Sequence, residues 1–217
     1  MATICQIGCG MIGKVMALDI SKKHDLHLSD LDESALKEVK ILDPAIKTKC
    51  FNVNDSDMLK SFLKPADIVL LAVPGYMGYK LLEKIIEFKK NIVDISFSPE
   101  NILFLDKKAK DNNITVIFDA GLAPGIPNFL LGNINAKENV KSFKYFVGGL
   151  PKHPKPPYYY KAPFSPIDVV EEYTRPARIM KNGKVITKPA LTDIEEKVYQ
   201  NTGMLEGFNT DGLRSIL

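Results

Sequence analysis

The stretch Thr3-Ile4-Cys5-Gln6-Ile7-Gly8-Cys9-Gly10-Met11-Ile12-Gly13 decides how the rest of the chain is read. Residues 3–7 form a short apolar strand by composition. Residues 11–23 follow with helical periodicity, which places Met11, Ile12, Val15, Met16 and Leu18 on the apolar side. Three glycines at G-x-G-x-x-G spacing lie between strand and helix. Such a pattern is weak alone; here it ends a strand, opens a helix and sits where a first βαβ unit belongs. Gly8 permits the tight turn, Gly10 lets the backbone approach a pyrophosphate, and Gly13 lets the helix pack on the strand. The helix start then offers free N–H groups and a positive dipole end to phosphates.

A second mark of a dinucleotide site is an acid at the end of the next strand, placed to bond ribose hydroxyls. Residues 26–29 read as that strand and Asp30 closes it, with Asp32 as a weaker rival. A carboxylate there repels a 2′-phosphate, and Leu31, Asp32 and Glu33 follow with no arginine nearby. NAD is therefore the expected cofactor, with NADP possible.

Outward from this unit the alternation continues. Further strands are expected at 49–53, 67–73, 91–96 and 114–119, and further helices at 33–42, at 79–88, at 99–112 and after Asp55 or Ser56. The run Asp67-Ile-Val-Leu-Leu-Ala-Val73 is the clearest buried strand. Six strands joined by helices through short loops imply an α/β class, a Rossmann doubly wound parallel sheet. After about residue 122 the pattern changes. A helix at 125–133, a strand at 140–147, a proline-rich segment from 151 to 166 that includes Tyr158, and a hairpin at 178–187 around Asn182-Gly183 suggest part of an α+β substrate domain. The expected domains are 1–122 and 123–217.

Composition restricts the function classes. The 217 residues carry a net charge of +3 with no basic stripe, which argues against nucleic acid. No apolar run approaches a membrane span, and the chain starts directly in a strand with no leader in view. Cys5, Cys9 and Cys50 lack metal-ligand spacing and read as plain thiols of a reduced, cytoplasmic protein. No metal is expected.

In open α/β sheets ligands lie beyond the carboxyl ends of the strands. Val73 and Pro74 are expected along the dinucleotide, Ser96 beside it, and Tyr76, Ser96 and Phe97 toward a substrate. Asp94 either acts or braces its loop. Asp119 ends the sixth strand before a rigid Ala-Gly-Leu-Ala-Pro-Gly turn, where it either holds a substrate ammonium or braces the turn.

Several segments together resemble the saccharopine dehydrogenase family. They are Val93-Asp-Ile-Ser96, Asp119-Ala-Gly-Leu-Ala-Pro-Gly-Ile-Pro-Asn128, Tyr145-Phe-Val-Gly-Gly-Leu-Pro151, Tyr160-Lys-Ala-Pro-Phe-Ser-Pro166, Glu172-Tyr-Thr-Arg-Pro-Ala-Arg-Ile179 with Asn182-Gly183, and Glu206-Gly-Phe-Asn-Thr-Asp-Gly-Leu-Arg214. The likeness is strongest to the saccharopine reductase and lysine 6-dehydrogenase branch. It implies hydride transfer between nicotinamide and the amine or imine carbon of an amino acid. It also places Lys161, Phe164, Ser165, Arg175 and Arg178 on the substrate side. Either arginine is suited to a substrate carboxylate or to a salt bridge within the hairpin. Members of the family continue past the point where this chain stops, so a fragment or a truncated homologue is expected, with a partner chain or a missing piece covering the exposed face. A homodimer is the expected assembly.

Hydride loss from an amine requires the nitrogen to be neutral, so a group that takes or lowers its proton is needed. Asp119 ranks above Lys161 and His153 for that task; His24 and His27 flank the second strand as surface groups. Two rival readings remain at this point: a truncated, non-catalytic nucleotide-binding module, and a carboxylated-polyamine dehydrogenase.

Overall fold

The computed structural model describes every residue except Tyr158 and Asn201. The chain divides into two compact units, Met1–Gly121 and Leu122–Leu217.

The N-terminal unit is built on six parallel strands: β1 (Thr3–Ile7), β2 (Asp25–Asp30), β3 (Lys47–Cys50), β4 (Ile68–Leu71), β5 (Asn91–Asp94) and β6 (Val116–Ile117). Their order in the sheet is β3-β2-β1-β4-β5-β6. The sequence thus winds outward in one direction from β1 and then, after crossing back to β4, in the other. The crevice between β1 and β4 is the topological switch point at which such sheets bind ligands. The helices are α1 (Met11–Ile20), α2 (Glu33–Leu42), α3 (Ser56–Leu63), α4 (Gly75–Glu87) and α5 (Asp106–Asp111).

Strand periodicity divides the core between the two faces of the sheet. Ile4, Leu70, Leu26 and Leu28 pack with Ala17 of α1 and Leu36 and Val39 of α2. Cys5, Ile7, Val69 and Leu71 pack with Leu59 and Leu63 of α3, Leu81, Leu82, Ile85 and Ile86 of α4, and Ala109 of α5. Each fully buried Leu or Ile contributes about 1.5–3 kcal/mol of transfer free energy, so both layers are held firmly. Asp32 and Asp55 cap α2 and α3 by accepting backbone N–H groups, Asp32 from Ser34 and Ala35 and Asp55 from Met58.

Helix α1 corrects one expectation. Met11, Ile12 and Val15 are exposed, Val15 at 66%, and the buried positions are Gly13 and Ala17. A Cβ on Gly13 would stand 2.9 Å from the Gly8 carbonyl carbon. The helix runs so close to the sheet at Gly13 and Ala17 that only small residues fit directly beneath it; Met11, Ile12 and Val15 turn outward, while Met16 and Leu18 are half-buried and pack against the core as expected. The helix expected at 99–112 is also divided, into a 3-10 turn at Ile102–Leu105, entered through the Asn101 side chain, and α5.

The C-terminal unit contains α6 (Ile126–Asn135), α7 (Pro166–Thr174) and two antiparallel hairpins. The first pairs β7 (Ala177–Lys181) with β8 (Lys184–Lys188). Its turn is the expected Asn182-Gly183, with φ of 52° and 72°, the left-handed pair that a two-residue type I′ turn requires. The second pairs β9 (Glu195–Tyr199) with β10 (Gly203–Gly207). The strand expected at 140–147 is absent: no ladder partner pairs with it among the described residues. Its alternation survives as packing, with Phe143 and Tyr145 half-buried and ring centroids 5.5 Å apart. No helix among the described residues is long and apolar enough to cross a membrane.

Candidate functional site

The glycine loop occupies the turn from β1 into α1. Gly8 has φ of 105°, and a Cβ there would lie 2.7 Å from the Ala72 carbonyl carbon at the end of β4. The left-handed region and the close approach together require glycine. Gly10 differs: nothing stands within 4 Å of where its Cβ would be, and the residue is exposed. That open cradle at the N-terminus of α1, beside the switch point, is the space a pyrophosphate needs, and the residues fit one.

Asp30 closes β2 and reaches back to this loop. One carboxylate oxygen accepts from the Cys9 backbone N–H at 2.6 Å, and the other accepts from the Asp32 N–H at 2.8 Å. The acid at the end of the second strand is therefore fixed in place beside the glycine turn. Asp32, the weaker rival, is occupied as the α2 cap, where the Ser34 hydroxyl and the Ser34 and Ala35 amides hold its carboxyl below the ordinary range.

Gln6 escaped the sequence reading. It is fully buried under the loop, and its Nε2 donates to the carbonyls of Gly8 at 2.9 Å and Gly13 at 2.7 Å. One amide group thus ties the first glycine to the third. Its Oε1 is buried with no hydrogen-bond partner. A polar residue inside the first strand of the fingerprint was the available signal.

The other strand ends of this unit adjoin one another. Val73 and Pro74 follow β4, with Pro74 preceding α4, and Tyr76 on the first turn of α4 is exposed. Asp94 is buried at the end of β5 and accepts from the backbone N–H and the hydroxyl of Ser96, at 2.9 and 2.8 Å. It braces the loop that carries Ser96 and Phe97. Ser96 in turn lies 3.3 Å from the Ser98 hydroxyl. Gly78 makes room for this network: a Cβ there would meet Ser96 Cβ at 3.0 Å. The Ala120 N–H donates to the Asp94 carbonyl at 2.9 Å, which brings Asp119 alongside. Asp119 is buried with φ of 49°, a left-handed conformation that Asp tolerates better than most residues.

Both thiols near the loop are quiet. Burial pushes Cys5 and Cys9 up to about 11, far from the thiolate form that reacts.

In the C-terminal unit the structure pairs both arginines with carboxylates. Arg175 bonds Glu171 one turn earlier in α7, with its Nε at 2.9 Å. Arg178 grips Asp211 in a two-point fork at 2.9 and 2.5 Å, and the Arg178 backbone N–H adds a third bond at 3.0 Å. The sequence reading did not single out Asp211 as this partner, nor Asn128, whose buried side-chain amide donates to the Gly212 carbonyl and the Ser215 hydroxyl. The Tyr145 hydroxyl donates to that same carbonyl at 3.3 Å. Lys161 and His153 are exposed, and Phe164 and Ser165 are half-buried ahead of α7. Glu172 is held above the ordinary carboxyl range by burial and by the charge of Asp168.

Comparison with known proteins decides the lineage. The model of the saccharopine dehydrogenase NADP binding domain matches residues 4–117, and that of the saccharopine dehydrogenase C-terminal domain matches residues 121–216. The chain belongs to the saccharopine dehydrogenase family. Its N-terminal unit is accordingly an NAD(P)-binding domain. An alpha-aminoadipic semialdehyde synthase of Arabidopsis thaliana is 32% identical over 142 residues, which are 62% of this chain and 13% of that protein. A saccharopine dehydrogenase [NADP(+), L-glutamate-forming] of Pyricularia oryzae is 30% identical over 141 residues, 62% of this chain and 31% of that one. Apo saccharopine dehydrogenase (L-Glu forming) of Saccharomyces cerevisiae superposes with a TM-score of 0.70 at 20% identity, over 94% of this chain and 48% of that one. That likeness bears on the fold. The chain spans less than half the length of each of these relatives.

Proposed function

We propose that this chain provides the cofactor domain and part of the substrate domain of an NAD(P)-dependent oxidoreductase acting on the amine or imine carbon of an amino acid. Its type is that of saccharopine dehydrogenase or lysine 6-dehydrogenase. The observation that carries the reading is the fixed arrangement of the open Gly10 cradle and Asp30 at the switch point, in a chain of this family. We assign the glycine loop Gly8, Gly10, Met11, Ile12 and Gly13 to the pyrophosphate, Asp30 to the adenosine ribose, and Val73, Pro74 and Ser96 to the remainder of the dinucleotide. The domains run over 1–122 and 123–217, and the working protein is a cytoplasmic homodimer.

The nicotinamide, when bound, accepts or returns a hydride. The protein must bind the substrate, hold its nitrogen neutral and exclude competing reactions. In the oxidative direction the C–H bond beside nitrogen breaks. The nitrogen lone pair becomes the second bond of a C=N group, and water then adds and releases an amine and a carbonyl. We assign Asp119 and Lys161 to proton handling and amine orientation, in that order of weight. Tyr76, Ser96, Phe97, Phe164 and Ser165 are assigned to lining, and Arg175 and Arg178 to the substrate side, where each already has an acidic partner. In relatives named as L-glutamate-forming one product is glutamate, so an amino-acid conjugate of that kind is the first substrate to try.

The test is absorbance at the reduced-nicotinamide band with lysine, saccharopine and a carboxylated polyamine, using the 217-residue chain and a version extended to the length of its relatives. Turnover with an amino-acid amine supports the reading. Turnover restricted to the polyamine replaces the substrate. Cofactor binding without turnover in both versions favours a non-catalytic module.

A further inference from the structure

We propose that this chain selects NAD(H) over NADP(H), with Asp30 and the acidic entry to α2 as the selecting feature. The inference rests on the NAD(P)-binding reading of the N-terminal unit and runs against the phosphorylated cofactor named for its matched domain and for the Pyricularia oryzae relative.

The argument is one of donors and charge. Asp30 uses one acceptor direction on each oxygen to bond Cys9 N–H and Asp32 N–H, which leaves one direction on each oxygen. Two remaining acceptors suit the two hydroxyl donors of a ribose and offer nothing to a 2′-phosphate. The start of α2 would normally attract an anion through its free amides. Here Asp32 already occupies the Ser34 and Ala35 amides, and Glu33 adds a second carboxylate on the first turn.

Two neighbouring lysines already pair with carboxylates. Lys14 pairs with Glu38, and Lys37 pairs with Glu33 at 3.0 Å. Lys49 of β3 stands in register with Ser29 of β2, one position short of Asp30, which stands opposite Cys50. No arginine precedes Arg175 in the chain, so the planar fork best suited to a phosphate is missing from the whole unit. A 2′-phosphate carries about two negative charges, and like-charge juxtaposition is an effective means of rejecting a ligand.

The experiment is direct binding to the 217-residue chain. The chain has no Trp, so the fluorescence of NADH and NADPH themselves is followed, and NAD+ and NADP+ are compared by calorimetry. The native chain should prefer the unphosphorylated form at least about tenfold, and the preference should narrow as salt screens the repulsion. Asp30→Asn should weaken NADH and strengthen NADPH. Leu31→Arg changes a side chain that is 68% exposed and should strengthen NADPH while leaving NADH and the unliganded melting temperature unchanged. Equal or tighter binding of NADPH by the native chain overturns the inference and leaves the cofactor reading standing. A preference that survives both substitutions overturns the role of Asp30. Failure of both cofactors to bind overturns the site itself, and the inference with it.

Discussion

Arg178 is suited by type to a substrate carboxylate, yet in the structure its fork is closed on Asp211. The Asp211 side chain is only 3% exposed and accepts three hydrogen bonds, two from the guanidinium and one from the Arg178 backbone N–H. Removing one partner of a fully buried ion pair costs about 3–5 kcal/mol. The Arg178 side chain is 31% exposed, so water takes over part of the lost interaction, and Asp211→Ala should cost about 2–3 kcal/mol. For a unit of this size that corresponds to a drop of roughly 10–20 °C in its unfolding midpoint. The assay is urea unfolding followed by far-UV circular dichroism for Asp211→Ala, Arg178→Met and the double variant. The cycle should return a coupling energy of about 1–2 kcal/mol. Additive effects, with Arg178→Met raising substrate KM and leaving unfolding untouched, would sink the structural reading and return Arg178 to the substrate.

Gly10→Ala and Gly13→Ala should separate binding from stability. The first adds a Cβ into open space, so its unliganded melting temperature should hold while cofactor affinity falls at least about tenfold, since the added group occupies the pyrophosphate approach. The second collides with the Gly8 backbone and should lower stability by about 2 kcal/mol or more. Gln6→Leu should weaken the cofactor more than it weakens the fold, because it frees both ends of the glycine loop; comparing melting temperatures with and without cofactor measures the difference. Glu172→Gln should stabilise the protein near pH 7 and lose that advantage in acid. Burial raises the Glu172 carboxyl above its unfolded value, so the native acid costs stability as pH rises from the unfolded pKa through the folded one. Denaturation midpoints across pH 4–8 test the sign.

What was legible in the sequence was local and periodic. Strand β4 is a run of buried residues, the glycine fingerprint has a fixed spacing, and Asn182-Gly183 is a turn whose residue types match its left-handed angles. What escaped depends on partners distant in the chain. Gln6 matters because α1 folds back over it. Asp211 matters because β7 brings Arg178 beside it, and Asn128 because Gly212 does the same. The hairpin of β9 and β10 begins with Glu195-Glu196-Lys197, three charges in succession that mask the alternation of a strand. Helix α7 carried the signals of Ser165 before Pro166 at the first helical position, hidden at the end of a proline-rich segment. The outward turn of Met11 and Val15 follows from how near α1 lies to the sheet, a distance set by Gly13 and visible only in three dimensions.

Cys9 has a practical consequence of its own. Its amide is pinned by Asp30 while its sulfur lies buried against the Ala35 carbonyl, in the middle of the glycine loop. A maleimide or disulfide reagent can reach it only when that loop lifts away from the sheet, whereas Cys50 is already exposed. The chain therefore contains both a clock and its control. The lag between labelling of Cys50 and labelling of Cys9 times the opening of the loop, and a bound dinucleotide should lengthen it without any engineered probe.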